Sequence, residues 1–341
     1  MTLSSRRPGS ISDHNSVEQK HLVSVITATR NRPLLLRQAL QSIKQQSCSQ
    51  FEVIVVDDGS NSDVQDQYSD IWADLDERFV LHRASPPDGP GSGPGRGRNV
   101  GLGLASGEYV AFLDHDDLWD RPDHLAVAVK ALDAAKADYY FTHIRLEPRH
   151  PTLVGFTPPE ELARCQAILT DPIVRRVPIA DFVRVMQHYH IHPSHSVTRR
   201  QLFSDVGAFV EGLKTFDDIN LMFRLADRAR GILYRPDPVV AIRLPEGKSF
   251  SLASSELEQA VSAQHAMLDV RLRCVSTLIR RCARAREAWT LREISQLIAK
   301  ERPGEASRLA WEALATFPSV GALWHFAATA ARAVTTRASD Q

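Results

Sequence analysis

Three carboxylates follow almost directly on a run of apolar residues. Residues 109–113 are Tyr-Val-Ala-Phe-Leu, and Asp114-His115-Asp116-Asp117 come next. Like charges this close repel one another, and none should be buried without a partner. Asp114 and Asp116 could share a hard divalent cation, which takes oxygen ligands and often keeps a phosphate as another. An aspartate-rich turn that caps the next helix is the alternative interpretation.

Two further acidic pairs stand at the ends of predicted elements. Asp57 and Asp58 follow the apolar run 51–56. They could accept hydrogen bonds from a ribose hydroxyl or a base N–H, and a β-turn is the alternative. Asp217 and Asp218 precede an amphipathic helix. A carboxylate there could act as a general base toward a substrate hydroxyl, or it could cap the helix.

The glycine-rich stretch at 88–107 does not match a known phosphate-binding motif. No frame within it gives G-x-G-x-x-G, so a dinucleotide fingerprint is not supported. Residues 246–249 resemble the end of a phosphate loop, but Ile242 stands where its first glycine belongs. We expect residues 88–97 to form a mobile loop over a site. Arg96 and Arg98 could reach a phosphate, and two solvated arginines are the alternative.

Two basic stretches allow more than one interpretation. Residues 188–195 contain four histidines, with no cysteine and no carboxylate nearby in the sequence. Pocket lining or packing is therefore favoured over a metal site. Residues 270–286 carry six arginines and no acid. A solvated helix face is favoured over a contact with anionic lipid or a partner protein.

Apolar, β-branched runs alternate with helical periodicity in the first half of the chain. The predicted strands are residues 22–28, 51–56, 78–84, 108–113 and 138–146, and the predicted helices are 33–43, 63–77, 99–105 and 123–135. This alternation is typical of a parallel sheet covered on both faces. Ligands of such sheets bind outside the carboxyl ends of the strands. The acids at 57–58 and 114–117 stand at such ends.

The second half predicts irregular structure and then helices. Two short strands are predicted at 231–235 and 238–243, and helix-forming residues dominate from residue 251. One apolar face runs from Leu257 to Cys282, and two shorter helices follow residue 303. We expect a disordered leader (1–20), two halves of one domain (21–146 and 147–250) and a helical extension (251–341).

Composition restricts the function classes. Lys plus Arg equals Asp plus Glu, at 41 each, so charge gives no indication of a nucleic-acid partner. Four scattered cysteines without a C-x-x-C pair argue against a disulfide framework or a structural zinc site. The polar first twenty residues lack the apolar region of a secretory signal. We expect a cytoplasmic protein.

Four stretches together resemble the inverting family 2 glycosyltransferases of the GT-A fold. They are residues 23–46, 51–60, 95–125 and 205–226, in this order and at these spacings. The resemblance covers residues 22 to about 251, some two thirds of the chain. It implies an α/β fold with a mostly parallel sheet and helices on both faces, followed here by the helical extension.

On the donor side, the resemblance assigns roles to five residues. Thr29 and Asn31 lie in the first strand–helix loop beside the nucleotide. Asp58 resembles the acid that contacts the base, with Asp57 next to it, and Arg98 matches the arginine of the family's R-N-x-G.

The resemblance also implies a metal and a catalytic base. Asp114 resembles the residue on the ribose side of D-x-D, and Asp116 resembles the direct ligand of a Mn²⁺ or Mg²⁺ that bridges the donor diphosphate. Asp218 matches the second acid of the family's E-D pair, the catalytic base, and Asp217 replaces the usual glutamate.

The sequence departs from the family pattern at three places. The first loop is Ala28-Thr29-Arg30 where many members have Pro-Thr-Tyr, and the loop before Arg98 is longer than usual. Pro245 stands where many members place a histidine, which weakens the case for a second metal ligand.

The expected activity is transfer of a sugar, with inversion, from a nucleotide-diphosphate sugar (a UDP-sugar first) to an acceptor hydroxyl. A metal would stabilise the leaving diphosphate and a carboxylate would deprotonate the acceptor, a glycan or a lipid-linked precursor. The helical tail would contact the inner membrane face or a protein. A metal-dependent sugar nucleotidyltransferase and a non-catalytic nucleotide-sugar-binding module are the alternatives.

Overall fold

The computed structural model describes residues 22–89, 91–147, 160–187, 189, 191–243 and 254–339. The predicted leader, residues 246–249, Pro245, His188 and His190 lie outside this part of the chain.

A ten-stranded mixed sheet forms the centre of the molecule. Its strands lie in the order β3-β2-β1-β4-β9-β6-β10-β8-β7, and β5 pairs with β10. The strands are β1 (Val23–Thr29), β2 (Phe51–Asp58), β3 (Phe79–Ser85), β4 (Tyr109–Phe112), β5 (Leu118–Trp119), β6 (Tyr139–Glu147), β7 (Ala167–Ile168), β8 (Asp171–Val177), β9 (Ser196–Arg199) and β10 (Ile232–Arg243).

Helices cover both faces of this sheet, as predicted. Side chains of α1, α3 and α5 pack with Val25 and Val53 on one face, and those of α7 to α11 pack with Ile26 and Phe112 on the other. The helices are α1 (Pro33–Lys44), α2 (Ser62–Asp66), α3 (Tyr68–Trp72), α4 (Pro94–Leu104), α5 (His124–Ala134), α6 (Glu160–Ala163), α7 (Ile179–Val185), α8 (Gln201–Val206), α9 (Asp217–Arg228), α10 (Glu256–Arg273), α11 (Thr277–Ile298), α12 (Pro303–Thr316) and α13 (Val320–Ser339).

The register of the sheet brings the carboxyl ends of its strands to one edge. β1 pairs in parallel with β2 and with β4, so that Thr29 lies opposite Asp57 and Ile26 lies opposite Phe112. The acids at 57–58 and at 114–117 therefore lie at the same edge of the sheet, on either side of β1.

One antiparallel strand, β9, lies between β4 and β6. Val197 is paired with Ala111 of β4 and with Tyr140 of β6. Because an antiparallel strand begins where its partner ends, the residues just before β9 lie at the carboxyl end of β4. These residues include the 3₁₀ turn Pro193–His195.

A glycine permits the close crossing of α4 over β1. A Cβ at Gly101 would lie 2.4 Å from Ile26 Cγ2, far inside van der Waals contact. The helix can thus approach the strand closely and hold Arg98, one turn earlier, at the edge of the sheet.

Several predicted boundaries are wrong. The helix expected at 99–105 begins at Pro94, because proline is favoured at the first helical position. The helical stretch 63–77 forms the two short helices α2 and α3. The strands expected at 231–235 and 238–243 are one strand, β10, with register shifts around Pro238. Bulges of this kind accommodate a proline inside a sheet.

The apolar face that runs from Leu257 to Cys282 belongs to two helices. α10 ends at Arg273 and α11 begins at Thr277. Met267 and Val270 of α10 join the same core cluster as Leu221 of α9, so this part of the extension packs onto the body. No helix in the described ranges is long and apolar enough to cross a membrane.

Candidate active site

Arg98 joins acids from distant parts of the chain. Its Nη2 lies 2.7 and 2.6 Å from the two carboxylate oxygens of Asp114, and its Nη1 lies 3.4 Å from Oδ2 of Asp217. The arginine is only 4% exposed, so it depends on these acids for its charge balance. The guanidinium holds together the end of β4 and the start of α9.

The electrostatics of this group follow from its burial. Burial alone would raise the pKa of Asp114, but the Arg98 charge outweighs this effect and leaves that pKa below its ordinary value. In turn, burial would lower the pKa of Arg98, yet Asp114 and Asp217 raise it. Both partners therefore stay charged at neutral pH.

Asp217 behaves differently from Asp114. Burial first, and then the neighbouring charge of Asp218, raise the pKa of Asp217 to about 6, although Arg98 partly offsets them. Its single contact with Arg98 is longer than the contacts of Asp114. A carboxyl group that titrates near neutral pH is suited to proton transfer.

The side chain of Asp218 contacts the backbone at the start of its own helix. Its Oδ1 accepts a hydrogen bond of 2.7 Å from the N–H of Ile219, and its side chain lines a small pocket between α9 and the sheet. The N-cap residue of α9 is Phe216, and no side chain caps this helix. The structure therefore does not support the alternative that Asp217 or Asp218 caps this helix.

Asp114, Asp117 and His192 form a cluster of ligand-type atoms that lie within 4.8 Å of one another. His192 Nε2 is 3.4 Å from Asp114 Oδ2, and His192 Nδ1 is 3.4 Å from Asp117 Oδ2. Asp116 does not belong to this group. The structure thus places a predicted metal ligand, Asp114, beside two residues that were not predicted as ligands.

The electrostatics around Asp117 fit a cation. Burial, followed by the charges of Asp116 and Asp114, raises its pKa well above the ordinary value. Hydrogen bonds from Ser194 Oγ at 2.6 Å and from the Arg243 N–H at 3.2 Å offset this only in part. A hard divalent ion would relieve the repulsion among these acids, and carboxylate oxygens are the ligands such ions prefer.

The histidine stretch has two different environments. His195 is fully buried, donates from Nδ1 to the carbonyl of Thr142 at 2.6 Å, and accepts at Nε2 from the His192 N–H. It is therefore a packed, structural histidine, as expected. His192 has no carboxylate near it in the sequence, but β9 brings it to the acids at the end of β4 in the fold.

Asp57 is used within its own turn. It is fully buried and accepts hydrogen bonds from the N–H and Oγ of Ser60, at 3.1 and 2.5 Å, and from Gln65 Nε2 at 2.9 Å. These contacts favour the turn interpretation over a direct nucleotide contact, which stays a prediction for Asp57.

Asp58 holds the glycine-rich loop. Its Oδ2 accepts from the N–H groups of Ser92 and Gly93, at 2.5 and 2.9 Å, and its Oδ1 accepts from Ser85 Oγ. Arg30 donates to the carbonyl of Gly89 on the same loop. The loop therefore lies across the carboxylate that was predicted to contact the base.

The two remaining predicted donor-side residues lie beside this loop. The Thr29 hydroxyl is buried and has no hydrogen-bond partner among the described residues. Asn31 donates its N–H to Ser60 Oγ at 2.9 Å, and its side chain pairs with Asn61. Asn31 thus joins the loops after β1 and β2, which form one rim of the candidate site.

The family of the chain follows from comparison with known sequences. The model of Glycosyl transferase family 2 matches residues 24–206, more than half of the chain. The chain therefore belongs to this family, which confirms the predicted family and enzyme class.

Two curated relatives have names that refer to the biosynthesis of glycans. The chain is 32% identical over 187 residues to the succinoglycan biosynthesis protein ExoW of Rhizobium meliloti (strain 1021), over 54% of this chain and 57% of that protein. It is 38% identical over 95 residues to the GalNAc(5)-diNAcBac-PP-undecaprenol beta-1,3-glucosyltransferase of Campylobacter jejuni, over 28% of this chain and 29% of that protein. The chain thus spans little more than half of the first relative and less than a third of the second.

Solved structures share the fold. S. aureus TarS 1-349 in complex with UDP-GlcNAc superposes with a TM-score of 0.58 at 19% identity, over 90% of this chain and 79% of that one. The mannosyltransferase PcManGT from Pyrobaculum calidifontis, in complex with GDP-Man and Mn²⁺, gives 0.53 at 19% identity, over 94% and 87%. These likenesses confirm the predicted GT-A fold.

Proposed function

We propose that this chain transfers a sugar from a nucleotide-diphosphate sugar to an acceptor hydroxyl, with inversion at the sugar. The observation that carries the proposal is the group Asp114–Arg98–Asp217, which places acids of both halves of the fold on one guanidinium. When Asp217 is ionised, the group carries two carboxylates for one guanidinium, and a cation or a donor group of a ligand would balance the remaining charge.

The donor would bind along the rim formed by Thr29, Asn31 and Asp58. The buried hydroxyl of Thr29, which has no hydrogen-bond partner in the described part of the chain, is available for a ligand oxygen or N–H. Three donors, from Ser85, Ser92 and Gly93, already use the Asp58 carboxylate, so a base N–H would compete with the loop for this acid. Donor binding would therefore loosen the loop. A UDP-sugar is the first candidate, and PcManGT with GDP-Man shows that the fold also accepts a guanine nucleotide.

Mn²⁺ or Mg²⁺ would bind at the carboxyl end of β4. Asp114 and Asp116 are the proposed ligands, and Asp117 with His192 is the alternative partner set for Asp114. When bound, the ion would act as a Lewis acid that stabilises the charge of the leaving diphosphate. The Mn²⁺ in the complex of PcManGT supports such an ion in this fold.

Asp218 would act as the catalytic base. It would take the proton of the acceptor hydroxyl while that oxygen attacks the anomeric carbon, and the bond from this carbon to the diphosphate oxygen would break in the same step. A single displacement from the opposite face gives inversion. Asp217 would hold Arg98 in place beside it.

The acceptor would be a glycan or a lipid-linked precursor. One relative is named for succinoglycan biosynthesis and another for a glucosyltransferase of an undecaprenol-linked glycan, which supports a role in polysaccharide biosynthesis. Such acceptors fit a cytoplasmic enzyme that contacts the inner membrane face through its helical tail.

A panel of nucleotide-sugars with Mn²⁺ tests the proposal. Slow hydrolysis of one donor to the free sugar and the nucleoside diphosphate is expected, because water replaces the missing acceptor. Exchange that depends on pyrophosphate would instead identify a nucleotidyltransferase. Tight donor binding without turnover, even with glycan acceptors present, would identify a binding module and overturn the proposal.

A further inference from the structure

The turn between α10 and α11 exposes three aliphatic side chains within seven residues. Leu272, Val275 and Leu278 are 70%, 60% and 44% exposed. We call residues 272–284 the α10–α11 corner. Single exposed apolar residues are common on protein surfaces, but a contiguous group of them usually marks a contact site.

The backbone of the α10–α11 corner is anchored by an acidic side chain of α9. The two carboxylate oxygens of Asp227 accept the N–H groups of Val275 and Ser276 at 2.9 and 2.7 Å. Ser276 then caps α11, and Cys274 and Ile279 are buried under the turn. The aliphatic side chains are therefore presented outward by an ordered backbone.

Unpaired arginines stand beside these side chains. Arg280, Arg281 and Arg284 are exposed on the first two turns of α11. Within the described ranges none of the three forms an ion pair, whereas Arg271 pairs with Glu287 and Arg273 with Asp269. The corner thus combines an apolar edge with uncompensated positive charge.

We propose that the α10–α11 corner is a docking surface for an anionic lipid bilayer. The aliphatic side chains would enter the boundary between headgroups and acyl chains, and the arginines would contact lipid phosphates. Charge complementarity selects this occupant, because an uncharged apolar partner would leave three guanidiniums without counter-ions. This inference goes beyond the transfer reaction and does not depend on the identity of the donor.

The corner is remote from the candidate active site. Asp217 and Asp218 begin α9, whereas Asp227, which holds the corner, lies near the end of this helix. The two sites are therefore separated by about 15 Å along the helix axis. Substitutions at the corner should leave donor hydrolysis unchanged, so a failure of the docking proposal and a failure of the proposed function can be distinguished.

Sedimentation with vesicles tests the proposal on the full chain. We expect binding to vesicles of phosphatidylglycerol and phosphatidylcholine, weakening in high salt, and little binding to phosphatidylcholine alone. Each arginine near an anionic surface contributes about five-fold to partitioning, so the triple variant R280Q/R281Q/R284Q should lose on the order of 100-fold. A second variant, Val275→Asp, should weaken binding while it keeps all three arginines.

The matched control removes the same charge from another exposed part of the tail. Lys300, Arg302 and Arg308 are exposed around the start of α12, and K300Q/R302Q/R308Q should retain most of the binding. Circular dichroism and urea unfolding would confirm that the variants are folded. Equal losses in the two triple variants, equal binding to neutral vesicles, or no vesicle binding by the wild type would each overturn the proposal. The last result, together with binding to acidic polypeptides, would point to a protein partner.

Discussion

Replacing Asp217 by asparagine should stabilise the protein at neutral pH. Asp217 is a largely buried acid at the start of α9, and its pKa is raised to about 6 by burial and by the charge of Asp218. Asparagine has nearly the same shape and can still accept a hydrogen bond from Arg98. It carries no charge, so its burial does not cost the free energy of removing a charge from water.

The magnitude follows from the two pKa values. The ordinary value for this group is 3.8, so a folded-state value of about 6 corresponds to about 3 kcal/mol of unfavourable free energy when the group is charged. Because the pKa is raised in the folded state, this cost is fully present above pH 6 and disappears as the pH falls toward 4. Asp217→Asn should therefore increase the free energy of unfolding at pH 7.5 by up to about 3 kcal/mol, and by much less at pH 4.5.

Urea unfolding at several pH values measures this difference. The wild type should gain stability relative to the variant as the pH is lowered from 7.5 to 4.5, with most of the change between pH 6 and pH 4.5. Asp63→Asn is the matched control, since it removes the same charge from an exposed position on α2. Its difference from the wild type should be small and nearly independent of pH.

A variant that is less stable than the wild type at pH 7.5 would refute this reasoning. It would mean that the attraction between Asp217 and Arg98 outweighs the burial of the carboxylate. A gain in stability that stays constant between pH 4.5 and pH 7.5 would also refute it, because the effect could not then come from the titration of Asp217.

Three further predictions concern the candidate active site. Asp218→Asn should keep donor affinity, measured by calorimetry, while transfer falls by roughly 10²–10⁴-fold, the usual contribution of a positioned base; near-normal turnover would contradict this role. Asp116→Ala should abolish Mn²⁺-dependent nucleotide binding, because the diphosphate would lose its counter-ion. If Asp116→Ala keeps this binding and His192→Ala loses it, the ligands are Asp114, Asp117 and His192 instead. Asp58→Asn should increase proteolysis within residues 88–97 of the free protein, since one acceptor for the loop amides is lost; unchanged cleavage would count against this anchor.

Local patterns in the sequence predict the central part of the fold well. The apolar runs that become β1, β2, β4 and β6 need burial on both faces, and such runs form inner strands of a covered sheet. The acids at their carboxyl ends then meet at one edge without any further information. For this reason the sequence predicts where the candidate site lies in the fold, although it does not predict how the side chains are arranged there.

Contacts that depend on distant pairing could not be predicted in this way. Nothing near His192 in the sequence shows that β9 will lie antiparallel to β4, yet this pairing alone brings the histidine to Asp114 and Asp117. Likewise, the glycines at 93, 95 and 97 favour a loop by local propensity, but α4 begins at Pro94. Tertiary packing of Gly97 against Ala28 overrides that preference.

Arg98 has one acidic partner that stabilises the fold and one whose burial destabilises it. Asp114 binds it at 2.6 and 2.7 Å and keeps a lowered pKa, so this pair stabilises the fold above the pH range in which carboxyl groups titrate. Asp217 lies 3.4 Å from it and destabilises the fold when charged. A structural role alone would select a neutral residue at 217. We therefore propose that the acid serves the reaction, since a titratable group at 217 lies next to Asp218, the proposed base.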